Sequence, residues 1–160
     1  MKKLLLLLVF SCSLSFAQAP LPVIDHNVQE TFDNLIERST SYRPDFLVKL
    51  NEAGFTGIFV VDALPNNKLG MYKRSGNTFY VNIAAVSLKD LTSLEFTLAH
   101  ELGHGLGMEH TEPPLPDGSF PWSAEIMSGS GTLDPTHLVY QIMVHPNYAP
   151  GIWSRYFSQF

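Results

Sequence analysis

Residues 100–110 read His-Glu-Leu-Gly-His-Gly-Leu-Gly-Met-Glu-His, and this segment constrains the fold more than any other part of the chain. In an α-helix, residues four apart stack on one face, so His100 and His104 present adjacent imidazoles only if the stretch is helical. Leu94, Leu98, Glu101 and Leu102 recur at helical spacing. Ahead of them Thr92 and Glu95 form a T-x-x-E capping box, which predicts a helix from there to about Leu106. Gly105 and Gly107 weaken its end. Gly107 can take a left-handed conformation without a Cβ penalty, so it can stop the helix in a sharp turn. The chain then returns and brings His110 toward the two helical histidines.

Three imidazoles suit one zinc ion, with bonds of about 2.0–2.1 Å and a fourth position left open for water, as at a catalytic rather than a structural site. Glu101 stands about 100° around the helix from His100, so it flanks the metal without ligating it. A carboxylate placed there can take a proton from the water and pass it to a leaving amine. The metal acidifies that water and polarises the scissile carbonyl. Glu109 and Glu112 flank His110, and either could substitute for it as a ligand. His26, His137 and His145 have no ligand spacing and read as surface or helix-end residues.

The first residues belong to a different element. Met1-Lys2-Lys3 is basic, Leu4 to Phe10 is unbroken apolar sequence, and Ser15-Phe16-Ala17 is a small-residue cleavage region. This is the layout of a secretory signal peptide over 1–17, with an apolar run too short to span a membrane. The alternative, a lipid anchor on Cys12, fits poorly because Phe10 sits where a small residue is expected. Removing residues 1–17 from the 160 leaves 143, room for one domain at 18–160. The formal charge of −5 becomes −7 once Lys2 and Lys3 are gone, which argues against nucleic acid or an anionic membrane as partner. Cys12, the only cysteine, leaves with the same segment. The mature chain then has no disulfide, and a metal site in it must use histidine and carboxylate.

Val28, Phe32, Leu35 and Ile36 predict an amphipathic helix over 28–38, capped by Asp25 or Asn27. Pro44 and Gly54 bracket a short second helix. Phe55 to Val61 reads as a buried strand, Asp62 to Asn67 as a loop, and Leu69–Lys73 with Thr78–Ala84 as a hairpin about Ser75-Gly76-Asn77. Residues 111–124 read as loop, and Asp134-Pro135 starts a last helix through about Val144. The tail, with Trp153, Tyr156, Phe157 and Phe160, is too aromatic for a solvated end and is expected to dock on the core.

His100-Glu101-x-x-His104-x-x-Gly107-x-x-His110 resembles the long zinc motif of the metzincin metallopeptidases at every fixed position. Leu106-Gly107 and Thr111 look most like the matrixin branch. The resemblance favours His110 over its glutamate neighbours as third ligand. It also implies a tight turn with a methionine beneath the metal, for which Glu125-Ile126-Met127-Ser128-Gly129 is the candidate and Met127 the residue. The implied fold is α+β, of α/β/α-like form, with a twisted mixed sheet and an active-site helix in an upper subdomain at about 20–107. A small, mainly irregular and helical lower subdomain would occupy about 108–160. An extended peptide would bind by strand addition at Leu69–Lys73 or its hairpin partner. Residues 128–137 would line the pocket beyond the metal, with Glu125 and Asp117 as candidates for its rim. No ligand cluster for structural calcium or a second zinc stands out, and no cysteine-bearing propeptide is present. Asp25 is a conceivable latency ligand, though a helix-capping role is the plainer one.

The expected function is that of a secreted, monomeric zinc endopeptidase with one catalytic ion and a protein or peptide substrate. The alternative is a catalytically silent zinc-binding module that holds a protein partner. A third possibility is the same site chemistry on another amide.

Overall fold

A computed structural model describes residues 21–110, 126–127 and 149–160. The expected leader at 1–17, the loop at 111–124, the pocket segment at 128–137 and the helix at 134–144 lie outside the described residues. So do Cys12, Thr111, Glu112, Asp117, Glu125, His137 and His145.

Among the described residues, four strands form one mixed sheet in the order β1-β2-β4-β3. β1 (Val23–Ile24) and β4 (Thr78–Ala84) run parallel to β2 (Phe55–Val61), and β3 (Gly70–Ser75) runs antiparallel to β4 at the sheet edge. The predicted strand and hairpin are therefore present, and β1 is an addition too short for sequence periodicity to show. Ser75 pairs with Thr78, so Gly76 and Asn77 make a two-residue turn. The Leu69 carbonyl accepts from the Ala84 N–H at 2.9 Å, which makes residues 69, 71 and 73 the hydrogen-bonded positions of the ladder. The amides of Gly70, Tyr72 and Arg74 accordingly face the open edge.

Helices α1 (Gln29–Thr40), α2 (Phe46–Glu52) and α3 (Leu91–Gly105) precede the metal turn, and α4 (Ala149–Phe157) ends the chain. Of the stripe predicted for α1, Val28, Phe32 and Leu35 are buried and Ile36 is half-buried. Its cap differs from expectation. Val28 occupies the N-cap position without a side-chain bond, while Asp25 accepts the backbone and side-chain N–H groups of Asn27, both at 2.9 Å, in a turn ahead of the helix. Those bonds, the Asn27 backbone N–H foremost, hold the Asp25 carboxyl below its usual range.

The start of α3 also differs from expectation: Thr92, read as the residue ahead of the helix, lies inside it. α3 begins at Leu91, and the Asp90 carbonyl accepts from the Leu94 N–H at 2.9 Å. Glu95 instead receives Arg38 of α1 in two bonds, at 2.6 and 3.2 Å. A two-pronged, charge-assisted pair outweighs one bond to a neutral backbone amide.

The aromatic tail docks as helix α4, burying Ile152, Trp153, Tyr156 and Phe157. Trp153 lies edge-on to Phe96 of α3, and Phe157 packs against Phe46 of α2 with ring centres 5.0 Å apart. The buried Tyr156 hydroxyl donates to the Ala99 carbonyl at 2.6 Å, one residue before His100. Burial pushes this phenol's pKa up, so it remains a donor across the ordinary pH range. Tyr156→Phe is expected to lower stability by about 1–2 kcal/mol in urea unfolding, because the hydroxyl has no solvent alternative. An unchanged midpoint would mean that the tail is held by ring packing alone.

Candidate metal centre

α3 delivers His100 and His104 from one face, with ring centres 4.7 Å apart. The helix then stops as expected of a glycine turn. Gly107 has φ +92°, the Met108 N–H donates to the Gly103 carbonyl at 2.9 Å, and the Gly107 N–H donates to the His104 carbonyl at 3.0 Å. These two nested bonds form a Schellman ending, which only a residue tolerant of positive φ makes without strain. The turn brings the His110 ring to 5.2 Å from that of His100 and 4.9 Å from that of His104. One nitrogen from each of the three lies within 4.8 Å of the others.

Their tautomers follow from their partners. His100 Nδ1 lies 2.7 Å from the Ile126 carbonyl and His104 Nδ1 lies 2.9 Å from the Met108 carbonyl. A carbonyl only accepts, so each Nδ1 carries the proton and each Nε2 bears a lone pair. The two Nε2 atoms face each other at 3.2 Å. Two lone pairs at that distance repel unless a cation lies between them. The separation is about what a tetrahedral ion with bonds near 2.0–2.1 Å requires. Burial, reinforced by the charges of His104 and Lys68, lowers the His100 pKa to about 4, so the ring is neutral, as a ligand must be. The residues present therefore fit zinc.

Met127 is buried beneath the helix. A Cβ on Gly103 would stand 2.5 Å from its sulfur and 3.3 Å from that of Met108, so the close seat of Met127 depends on a glycine there. The preceding residue, Ile126, supplies the carbonyl that orients His100. Glu109 is exposed and lies outside the histidine cluster, and His26 is a surface residue beside Asp25.

Glu101 points to the open edge of β3, where its Oε2 accepts the Tyr72 N–H at 2.6 Å. Gly70 permits this approach, since a Cβ there would meet Glu101 Cγ at 2.8 Å and Thr97 Cγ2 at 2.6 Å. Burial raises the Glu101 pKa above its ordinary value, and the Tyr72 amide opposes that shift. The result is a carboxylate with enhanced affinity for a proton beside three imidazoles.

Arg74 was not among the residues expected at the site. Its Nη2 donates to the Gly105 carbonyl at 2.7 Å, next to His104, and its Nε donates to the Tyr72 hydroxyl at 2.7 Å. The Tyr72 ring in turn lies 6.2 Å from that of His104. Arg74→Met is expected to weaken zinc binding by about 10–100-fold in a chelator competition, the usual cost of losing an outer contact that orients a ligand. Unaltered zinc affinity would reduce Arg74 to a helix-end contact. The only advance sign was its position: residues 70, 72 and 74 share one face of β3.

Taken together, the fold and the three histidines are consistent with a zinc metalloprotease domain of the metzincin type. Residues 24–135 match the family model described as Reprolysin (M12B) family zinc metalloprotease. That span covers more than half of the chain and includes all three histidines, so the chain belongs to the reprolysin family of zinc metalloproteases. No curated protein and no solved structure matches it. The match gives no support to the expected matrixin likeness, which rested on Leu106-Gly107 and Thr111.

Proposed function

We propose that this protein is a secreted zinc endopeptidase in which Glu101 acts as base and then as acid. The observation that carries the reading is the position of Glu101: a half-buried carboxylate on the helix of the histidine cluster, reaching the edge of β3, where it accepts the Tyr72 N–H. His100, His104 and His110 would hold the ion, and zinc bound there would supply a Lewis acid for the scissile carbonyl and lower the pKa of a water. The edge of β3 on either side of the Tyr72 amide, which Glu101 holds, pairs with an extended peptide, which places its scissile bond over α3. Glu101 takes the proton of the attacking water and returns it to the leaving nitrogen. Met127 and Gly103 form a fitted floor that keeps the histidine rings in place. Secretion is supported by the basic, apolar and small-residue order of residues 1–17.

The test is digestion of a peptide library by the purified, zinc-loaded protein, with and without chelator. The expected result is about one zinc per chain and cleavage that chelator abolishes and zinc restores. Zinc binding with no cleavage of any peptide would replace this reading with the silent binding module.

A further inference from the structure

We propose that the main-chain amide of Tyr72 is a positioning group for the proton-transfer step: it ties Oε2 of Glu101 to the edge strand and leaves Oε1 as the oxygen that moves the proton. The proposal rests on the peptidase reading above.

Strand parity frees the amide for this role. Residues 69, 71 and 73 of β3 carry the ladder bonds to β4, so the Tyr72 N–H has no partner within the sheet. An edge strand ordinarily offers such a group to water or to an added strand. Here it donates to Glu101 Oε2 at 2.6 Å, across 29 residues of sequence. An N–H bonded to a carboxylate at that length is at the strong end of protein hydrogen bonds.

The stem of the same side chain is seated as well. A Cβ at position 70 would stand 2.8 Å from Glu101 Cγ, 3.2 Å from Oε1 and 2.6 Å from Thr97 Cγ2. The strand thus passes closer to this turn of α3 than a side chain at 70 would permit. A free glutamate spreads its carboxyl over many rotamers. Contact at Cγ restricts the first torsion, and the bond at Oε2 restricts the other two. Among the described residues, Oε1 has no hydrogen-bond partner. The two oxygens are therefore distinct, one held by backbone and one open. Proton transfer depends on reach, and a misplacement of about 1 Å can cost about 10²-fold in rate. An amide spent on Glu101 is also withheld from the peptide, so its loss should appear in turnover and not in binding.

The experiment exchanges the Tyr72 N–H for an ester oxygen, by incorporating the α-hydroxy analogue of tyrosine at that position in the zinc-loaded protein. The side chain stays in place, and no N–H of the ladder is removed. The expected result is a kcat lower by about 10–100-fold, with KM within about twofold and zinc content unchanged. In the Glu101→Gln background the same exchange should add nothing. A kcat within about twofold of wild type, a rise in KM alone, or an equal loss in the Glu101→Gln background overturns the proposal. The matching ester at Arg74, whose amide faces the same edge, should act on KM. An equal kcat loss there also overturns the proposal, because Glu101 would not be its cause. Hydrogen exchange reads the bond without turnover: the Tyr72 amide should be protected at least about 10-fold over that of Arg74, and lose that protection in Glu101→Ala. If no peptide is cut, the peptidase reading fails and exchange alone decides the tie. Protection that depends on Glu101 supports it, and equal exchange of the two amides overturns it.

Discussion

Glu101→Gln is expected to lower kcat for peptide cleavage by about 10²–10⁴-fold, the range attributed to a positioned acid-base group, while zinc content stays unchanged. Gln preserves the volume and an oxygen that can still accept the Tyr72 N–H, now bonded to Oε2 at 2.6 Å. It removes the capacity to take a proton. Because burial already disfavours the ionised carboxyl, the neutral amide should not destabilise the fold. The informative pattern is a lost kcat with KM and thermal stability close to wild type, since that pattern isolates proton transfer from binding. Turnover within about tenfold of wild type would remove Glu101 from the mechanism. In that case a different group near the cluster would have to move the proton.

His104→Ala is expected to abolish the stabilisation that zinc confers on the fold. At a free zinc concentration 100 times its dissociation constant, the wild-type protein should gain about 2.7 kcal/mol by mass action alone. The variant loses one of three ligands and also the Nδ1 partner of the Met108 carbonyl at 2.9 Å, a bond inside the turn that presents His110. Its zinc affinity should therefore fall by more than the ~10–100-fold that an outer contact costs. Thermal unfolding with and without zinc measures the first effect, and chelator competition measures the second. His26→Ala serves as the control: that side chain is 89% exposed, and its substitution should leave the zinc-dependent gain intact. A His104→Ala protein that zinc still stabilises fully would mean that the three rings converge without holding the ion.

Local patterning carried much of the architecture. The strand at Phe55–Val61 follows from its β-branched and aromatic residues, though Thr56 and Phe59 are exposed on it and it is not buried throughout as expected. The hairpin and the metal helix follow from spacing that the backbone imposes on neighbours in the chain. The caps misled for a related reason. Thr92 and Glu95 have the right local spacing, but Glu95 is claimed by Arg38, 57 residues away, whose guanidinium also lies over Trp153. Asp25 similarly spends its carboxylate on Asn27 instead of on the first turn of α1. In both places a side chain had two possible partners, and packing chose between them. The aromatic tail was legible as a docking segment. Its helical form was missed, although Ile152, Trp153, Tyr156 and Phe157 lie at helical spacing.

From the sequence alone came the ligand types, their i, i+4 placement, the flanking base and the glycine that ends the helix. All of these depend on local backbone geometry within eleven residues of each other. Only the tertiary structure decided which nitrogen of His100 faces inward, because the Ile126 carbonyl that orients it lies 26 residues further along. Only the tertiary structure brought the Tyr72 amide to Glu101 across 29 residues and set Arg74 against the end of α3. Hydrogen bonds of this kind are short and directional, so they form where packing brings remote backbone and side chains together. No periodicity along the chain encodes that meeting.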